Sequence, residues 1–324
     1  MQYRKVVVIA PIKNENWILA SFLRACSQFA DHIILGDHFS SDNSTEIAKS
    51  FPKVKVIQAS SEEFDEMGRR NQLLIEARKL GKGNLIFSLD ADEFLSKDLG
   101  GSRLLEIFSS HPEGTHFKMP FFNVSKDLKS GWNTYSDPIA FVDDGSLHTK
   151  SEGIHFPRLP TSEQSQVIEV EQLSIIHLQY VDWMRMESKH RWYKAWERVN
   201  FPNKPAIEIF RRYNHMNSIN PKNFVPLPDS WILLLESHGV FLRDLAAGQA
   251  SYWWDSEVEE LLAKNPARVF RHVFKDATLE SIPFSSRLFF WYAETTQYTM
   301  RFKLFNPIRL VTRFLDRLIF RYWI

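Results

Sequence analysis

The chain has 324 residues, of which 44% are hydrophobic and 24% are charged, a composition typical of folded globular proteins and not of disordered ones. Its formal net charge of +1 gives no reason to expect a nucleic-acid partner. A single cysteine, Cys26, excludes a disulfide framework and favours a reducing compartment. No stretch reaches the ~18 apolar residues of a membrane span, and the N-terminus lacks the pattern of a secretory signal. The sequence therefore predicts a cytoplasmic protein.

Up to about residue 95, the chain alternates between strand patterns and helix patterns. The predicted strands are 6–10, 33–35, 54–57 and 85–89, and the predicted helices between them are 16–30, 45–50 and 66–80. The strands are short continuous apolar runs, as expected for strands buried on both faces of a sheet. This alternation predicts βαβ units and a parallel sheet.

From about residue 114 the pattern changes. We expect a strand over 115–124, a loop-rich segment over 125–165, one or two strands over 167–177, and a helix over 182–199. The remainder reads as helical and rich in aromatic residues. The sequence thus predicts an α/β domain over residues 1–180, followed by a helical C-terminal region over residues 181–324.

Three polar segments follow the predicted strands of the first domain. They read PIKNEN after the first strand, GDHFSSDNST after the second and DADE after the fourth. In open α/β sheets, ligands bind where the carboxyl ends of the strands meet their loops. The position of all three segments at such ends is the first indication of function.

The segment DADE carries the strongest chemical signal. Asp90 and Asp92 are separated by one residue and follow the apolar run LIFSL. Two carboxylates at a strand end can share Mg²⁺ or Mn²⁺ and the diphosphate that the ion neutralises. The alternative is an acidic turn that caps the next helix.

The other two segments are weaker evidence of function when each is taken alone. Asp37 ends the second predicted strand, where its carboxylate can accept hydrogen bonds from a base or a ribose. The residues that follow it also suit a helix N-cap. In the first segment, Asn14 can cap the following helix and Glu15 can favour its first turn.

Together the segments resemble the family 2 glycosyltransferases, which have a GT-A fold. The resemblance rests on APIKNEN, GDHFSSDNS, RRNQLLIEARKLGKGN and LDADEF, in this order and at this spacing, and it is best over residues 4–95. The second segment departs from the family pattern, because His38 and Phe39 replace an aspartate and a glycine. The resemblance implies a Rossmann-like, mostly parallel sheet with helices on both faces.

The resemblance also implies roles for individual residues. Pro11, Asn14, Glu15 and Asp37 would line the nucleotide pocket, Arg70 or Asn71 would face the donor, Asp90 the ribose or sugar, and Asp92 the metal.

Two further candidates lie downstream. In relatives with a similar H-x-x-Y pattern before a lysine-bearing helix, the histidine can contact the metal or the diphosphate; here it is His177. The alternative is a structural histidine at a strand end, whose ring is hydrogen-bonded within the protein. Lys189 on the following predicted helix is a candidate for the phosphates, as are Arg191 and Tyr193, and the alternative is a solvated helix face.

The sequence does not identify the catalytic base as clearly as it identifies the other site residues. Inverting transfer needs a carboxylate or a histidine to take the proton of the acceptor hydroxyl. Glu152 and His155 are the first candidates, and Asp144 and Glu163 remain open.

The C-terminal tail has an amphipathic pattern. Arg309, Arg313, Arg317 and Arg321 recur at every fourth position, opposite Ile308, Val311, Leu315, Leu318, Ile319 and Tyr322. A basic, aromatic amphipathic helix is typical of membrane-surface segments. The alternative is a helix that packs on the core or on a second subunit.

The sequence therefore predicts a glycosyltransferase of polysaccharide biosynthesis that uses Mn²⁺ or Mg²⁺ and acts with inversion. The expected partners are a nucleotide-sugar donor, a UDP-sugar first, and a carbohydrate or lipid-linked acceptor, with peripheral contact to the inner face of the membrane. One alternative is a nucleotidyltransferase, but PIKNEN has no glycine for a phosphate loop. Another is a non-catalytic scaffold at a membrane.

Overall fold

The computed structural model describes residues 4–135, 137–149, 154, 157–162, 165–275, 284–297 and 306–320. The chain divides into two compact units. The first comprises Met1–Trp183 and Phe224–Gly248, and the second comprises Met184–Asn223 and Gln249–Ile324. The segment 224–248 belongs to the first unit although it lies within the predicted C-terminal region.

All strands of the described residues belong to the first unit. They are β1 Val6–Ile12, β2 His32–Asp37, β3 Val54–Gln58, β4 Leu85–Ser88, β5 Glu93–Leu95, β6 Thr115–Lys118, β7 Pro120–Val124, β8 Ser130–Tyr135, β9 Ala140–Val142, β10 Gln166–Glu169, β11 Ile175–His177 and β12 Val225–Pro226.

The helices are distributed over both units. They are α1 Leu19–Ser27, α2 Ser44–Lys49, α3 Glu66–Arg78, α4 Arg103–Ser110, α5 Trp183–Asn200, α6 Ala206–Arg212, α7 Asp229–Ser237, α8 Leu242–Ala246, α9 Trp253–Lys264, α10 Phe284–Gln297 and α11 Pro307–Phe320.

The strands form two sheets. The larger has seven strands in the order β10-β6-β9-β4-β1-β2-β3, and only β9 runs antiparallel to its neighbours. The smaller has five strands in the order β12-β8-β7-β11-β5. The mostly parallel main sheet and the helical C-terminal region confirm the predicted α/β fold class.

Strand β1 shows why the main sheet carries helices on both faces. Val6, Val8 and Ala10 pack into a large apolar cluster that includes side chains of α1. Val7 and Ile9 point the other way and pack with leucines of α3. Because successive side chains of a strand alternate between faces, a strand that is apolar throughout needs a cover on each side.

The predicted strand over 115–124 is in fact two strands that belong to different sheets. Strand β6 pairs with β9 and β10 in the main sheet, whereas β7 pairs with β8 and β11 in the smaller one. The break falls between Lys118 and Pro120, and proline has no N–H to donate to a continuous ladder. The hydropathy of the run does not reveal this change of sheet.

The segment predicted to be loop-rich, 125–165, contains the strands β8 and β9. Gly131 in β8 permits a close approach to β7, because a Cβ at this position would lie 2.3 Å from the carbonyl oxygen of Asn123. Strand β9 has three residues and is held between β4 and β6. Both strands are short, and pairing with their neighbours stabilises them more than their own sequence does.

The second unit is helical in its described part. Ile207 and Phe210 of α6 pack against Phe289 and Phe290 of α10. Asp316 of α11 accepts hydrogen bonds from side chains of these two helices, Arg211 and Tyr292. Among the helices in the described part of the chain, none combines the length and apolar character that a membrane span requires.

Candidate functional site

An acidic cluster with one histidine lies beyond the carboxyl end of β4. Strand β5 pairs antiparallel with β11, with His177 opposite Glu93, and the backbone N–H of Leu178 donates to the carbonyl of Asp92 at 2.9 Å. This pairing brings together one ligand atom each from Asp92, Glu93 and His177, all within 4.8 Å of one another. The Nε2 of His177 lies 3.9 Å from Oδ1 of Asp92.

The orientation of the His177 ring is fixed by Asn123 on β7. The Asn123 amide nitrogen lies 3.3 Å from the carbonyl oxygen of Trp132, which can only accept, so this nitrogen is the donor. The Asn123 amide oxygen therefore faces Nδ1 of His177 at 2.8 Å, and Nδ1 must carry the proton. In the neutral form of the ring the lone pair would therefore lie on Nε2, on the side of Asp92, where it could bind a metal ion.

Arg158 neutralises the other part of the cluster. Its two terminal nitrogens contact the two Glu93 oxygens at 2.5 and 2.6 Å, and one of them also lies 3.1 Å from Oδ2 of Asp90. Burial raises the pKa of the Glu93 carboxyl to about 7; Arg158 opposes this shift and Asp90 adds to it. Burial disfavours the charged form of Arg158, but Asp90 and Glu93 outweigh this effect and raise its pKa. The guanidinium therefore stays charged.

Arg70 approaches the cluster from α3. It is 6% exposed, donates to Ser88 Oγ at the end of β4 at 3.1 Å, and lies 3.9 Å from Oδ1 of Asp90. A hydrogen bond of 2.6 Å to Glu66 on the same helix fixes the side chain. Arg70 thus faces the cluster.

Asn71, the alternative to Arg70, has a different contact. Its amide donates to the carbonyl of His148 at 3.0 Å and accepts from the N–H of His148 at 2.9 Å, so it braces the loop after β9. Burial and then the charge of Arg70 lower the pKa of His148 to about 4, so its ring is neutral at physiological pH.

The first two polar loops of the main sheet are joined by hydrogen bonds. Asn14 has a positive φ of 54°, and its side-chain oxygen accepts from the N–H groups of Ser41 at 2.7 Å and Asp42 at 3.3 Å. The N–H of Glu15 donates to Ser44 Oγ at 2.9 Å, and the Glu15 carboxylate accepts from the Trp17 indole at 2.6 Å. Pro11 is paired with Gly36 in the sheet. Because of these contacts, α1 begins only at Leu19, and both loops have a fixed shape.

Asp37 ends β2 beside these loops and is 2% exposed. Its Oδ2 accepts from the N–H of Ser40 at 3.2 Å. Its Oδ1 is buried and has no hydrogen-bond partner among the described residues. Because an unsatisfied buried acceptor is costly, this oxygen is suited to a donor from a bound molecule.

Lys189 and Asp144 are further predicted site residues that the structure describes. Lys189 belongs to the second unit, where it contacts the rings of Tyr193 and Trp254. Asp144 follows β9 near Gly114 and caps a turn at Ser146, at the amino end of β4 and away from the acidic cluster. Glu152, His155 and Glu163 lie outside the described residues.

Residues 7–130 match a family model described as Glycosyl transferase family 2. This part of the chain is a family 2 glycosyltransferase-like domain with a GT-A fold.

Other comparisons add little to this match. A solved structure titled "Crystal structure of 4-diphosphocytidyl-2C-methyl-D-erythritol synthase" is similar at 16% identity and a TM-score of 0.29, over 37% of this chain and 62% of that one. The chain thus spans less than two thirds of that protein, and so weak a likeness bears on neither fold nor function. No match was found among curated proteins.

Four residues in or near the cluster were not singled out by the sequence. Glu93 directly follows Asp92 in the motif LDADEF, so its position next to a predicted metal ligand could have identified it as a site residue. Asn123 also falls within the matched range, but nothing local distinguishes it from other strand residues. Arg158 and His148 lie beyond the matched range, and only the tertiary structure brings them to the cluster.

Proposed function

We propose that this chain is a divalent-metal-dependent, inverting glycosyltransferase that moves a sugar from a nucleoside-diphosphate sugar, a UDP-sugar first, to a carbohydrate or lipid-linked hydroxyl. A glycosyltransferase-like or nucleotide-sugar-related function follows from the family match. The observation that carries the finer proposal is the convergence of Asp92, Glu93 and His177 beyond the end of β4.

The chemistry of the donor set fits a metal ion. Two carboxylates and one neutral imidazole suit Mn²⁺ better than Mg²⁺, which prefers oxygen ligands only. We therefore propose Asp92 and His177 as ligands, with Glu93 beside them. Bound there, the ion would stabilise the charge that develops on a departing diphosphate.

The charges around the cluster support the same proposal. The carboxylates of Asp90, Asp92 and Glu93 face two guanidiniums, those of Arg70 and Arg158. The arginines reduce the repulsion between the carboxylates but leave an excess of negative charge for a divalent cation. Arg158 also holds Glu93 and Asp90 in place through paired, charge-assisted hydrogen bonds.

The nucleoside would lie toward Asp37. The Asp37 Oδ1, which has no hydrogen-bond partner among the described residues, is an acceptor for a ribose hydroxyl or a base N–H. Hydrogen bonds between the loops of Asn14 and Glu15 and the following polar loop give that edge a fixed shape. Arg70 would face the sugar-phosphate side of the donor, next to Asp90. For the base that takes the acceptor proton, Glu152 and His155 remain the proposed residues.

The proposal extends to the inner surface of the membrane. Helix α11 turns polar side chains toward its own unit, since Thr312 is buried and Asp316 is paired with Arg211. Five apolar side chains of the helix remain exposed: Ile308 at 54%, Leu310 at 52%, Val311 at 57%, Phe314 at 61% and Leu315 at 39%. Residues 301–324 contain six basic residues and one acidic residue. An apolar helix surface in a basic segment suits an anionic bilayer surface.

The central test combines metal binding with turnover. Electron paramagnetic resonance of Mn²⁺ would measure binding directly, and a panel of nucleotide sugars would be screened for Mn²⁺-dependent transfer or hydrolysis. We expect Asp92→Asn to weaken Mn²⁺ binding and to lower turnover ~10²-fold or more, since it removes a charge from the site but keeps its shape. His177→Ala should act in the same direction less severely, because water can replace the imidazole.

Asp98→Asn is the matched control, because this aspartate lies in the same stretch of chain, caps a turn at Gly100 and is not among the residues of the acidic cluster. It should change neither Mn²⁺ binding nor turnover. A folded Asp92→Asn protein with normal turnover, or activity that survives EDTA, would refute the metal-dependent mechanism. Release of pyrophosphate in place of a nucleoside diphosphate would instead indicate a nucleotidyltransferase.

A further inference from the structure

A groove in the first unit lies apart from the acidic cluster. Its cavity volume is about 420 Å³, within the ~300–1,000 Å³ range of small-molecule sites. Strands β7 and β8 form its floor, residues 169–174 form one wall, and residues 225–231 form the other. All of these segments belong to the same compact unit.

The groove and the cluster lie on opposite faces of the smaller sheet. Pro120 and Phe122 of β7 line the groove, together with Asn133 and Tyr135, their partners on β8. Asn123, the next residue along β7, points the other way and is hydrogen-bonded to His177. Because side chains alternate along a strand, the same two strands serve both places.

The lining of the groove combines aromatic rings with hydrogen-bonding groups. Tyr135 is 78% exposed, and Trp231 lies edge-on to Phe122 with the ring centroids 5.3 Å apart. Lys118 lies 5.6 Å from the centroid of the Tyr135 ring and 3.6 Å from a carboxylate oxygen of Glu169. Glu171 and Asn133 add an acceptor and an amide to the lining.

We propose that this groove is a second, non-catalytic carbohydrate-binding site that holds a distal part of the acceptor or product glycan. The choice of a glycan as its occupant rests on the proposed glycosyltransferase function. A pyranose presents C–H faces to aromatic rings and hydroxyl groups to carboxylates and amides, which matches this lining. The two carboxylates against one lysine disfavour an anionic ligand, and the charged lining disfavours an acyl chain.

The experiment measures the binding of neutral trisaccharides to the full chain without a nucleotide. Maltotriose, cellotriose and chitotriose serve as probes, observed by saturation-transfer NMR and titration calorimetry. We expect at least one of them to bind, and Tyr135→Ala to weaken it about tenfold, because the ring that packs on the sugar is lost. Tyr135→Phe keeps the ring and should bind nearly as well as the original chain. Phe241→Ala removes another exposed aromatic, 52% exposed, outside the groove and should have no effect.

The catalytic variant separates this proposal from the proposed function. Asp92→Asn lies on the other face of the sheet and should leave trisaccharide binding unchanged. If none of the three probes binds, or if Tyr135→Ala binds like the original chain, the groove is not a carbohydrate site. Binding that is lost in Asp92→Asn but kept in Tyr135→Ala would place the glycan at the acidic cluster and overturn the proposal. Absence of sugar transfer with Tyr135-dependent binding would contradict only the enzymatic function.

Discussion

At the scale of single residues, Asn123 determines which nitrogen of His177 can act as a ligand. Its amide oxygen accepts from Nδ1, so Nε2, on the side of Asp92, is the nitrogen that can bind a metal ion. Residues that orient a ligating histidine commonly contribute ~10- to 100-fold to metal affinity. We therefore expect Asn123→Ala to weaken Mn²⁺ binding by about that factor, measured by electron paramagnetic resonance.

Asn133→Ala provides the control for this experiment. Asn133 is on the neighbouring strand and lines the opposite face of the sheet, so its loss should not alter Mn²⁺ affinity. Thermal unfolding of both variants would show that they are folded. An unchanged affinity in folded Asn123→Ala would mean that His177 is not a metal ligand.

Asp37 carries a second prediction at this scale. Its buried Oδ1 lacks a partner among the described residues, so a bound nucleoside should donate to it. Asp37→Ala should weaken the binding of UDP by ~1–3 kcal/mol, the range for a hydrogen bond to a charged group. Isothermal titration calorimetry with UDP and Mn²⁺ would measure this loss.

The matched control for Asp37 is Glu46→Ala, which removes an exposed carboxylate from the following helix, α2. It should leave the affinity for UDP unchanged. Equal UDP affinities in a folded Asp37→Ala variant and in the original chain would exclude Asp37 from the nucleotide pocket.

At the scale of elements, the orientation of α11 is the reverse of that of most surface helices, which bury their apolar face and expose their polar face. It places Thr312 and Asp316 toward its own unit and leaves Val311 and Phe314 exposed. We expect Val311→Glu to abolish sedimentation with vesicles of phosphatidylcholine and phosphatidylglycerol, because it places a like charge at the anionic surface. Binding of the original chain should fall as salt is raised.

Leu233→Glu on α7 is the control for this helix. Leu233 is 66% exposed but belongs to the first unit, so the same change there should not affect sedimentation with vesicles. Failure of the original chain to sediment with these vesicles would contradict the membrane proposal. So would full binding by Val311→Glu.

At the scale of the whole molecule, the segment 224–248 completes the core of the first unit. Leu227, Leu235, Val240 and Leu242 are buried in the same apolar cluster as β1 and α1. Leu235→Ala should lower the free energy of unfolding by ~2–5 kcal/mol, as expected when a buried leucine is truncated. Chemical denaturation of the full chain would measure this change.

The same helix, α7, offers the control for this prediction. Leu233→Ala removes a side chain that is 66% exposed, so it should change the stability by less than ~0.5 kcal/mol. If both variants unfold at the same denaturant concentration, the segment 224–248 does not stabilise the first unit.

Features that depend on local patterns could be predicted from the sequence. Buried strands such as β1 are continuous apolar runs, and the polar segments that follow them carry Asp37, Asp90 and Asp92. The ends of parallel strands lie at one edge of a sheet, so the sequence could predict that these polar segments share an edge. The strong periodicity of α11 also predicted its helix, since helix propensity and amphipathic spacing are local properties.

The neighbours of these residues, by contrast, are set by long-range contacts that the sequence did not predict. The pairing of β5 with β11 brings His177 to Asp92 across 85 positions of sequence, and Arg158 reaches Glu93 across 65. The division of 115–124 between two sheets depends on which partner strand each half finds. These contacts result from long-range pairing and burial, whose free energy depends on neighbours that are remote in sequence and so leaves no local pattern.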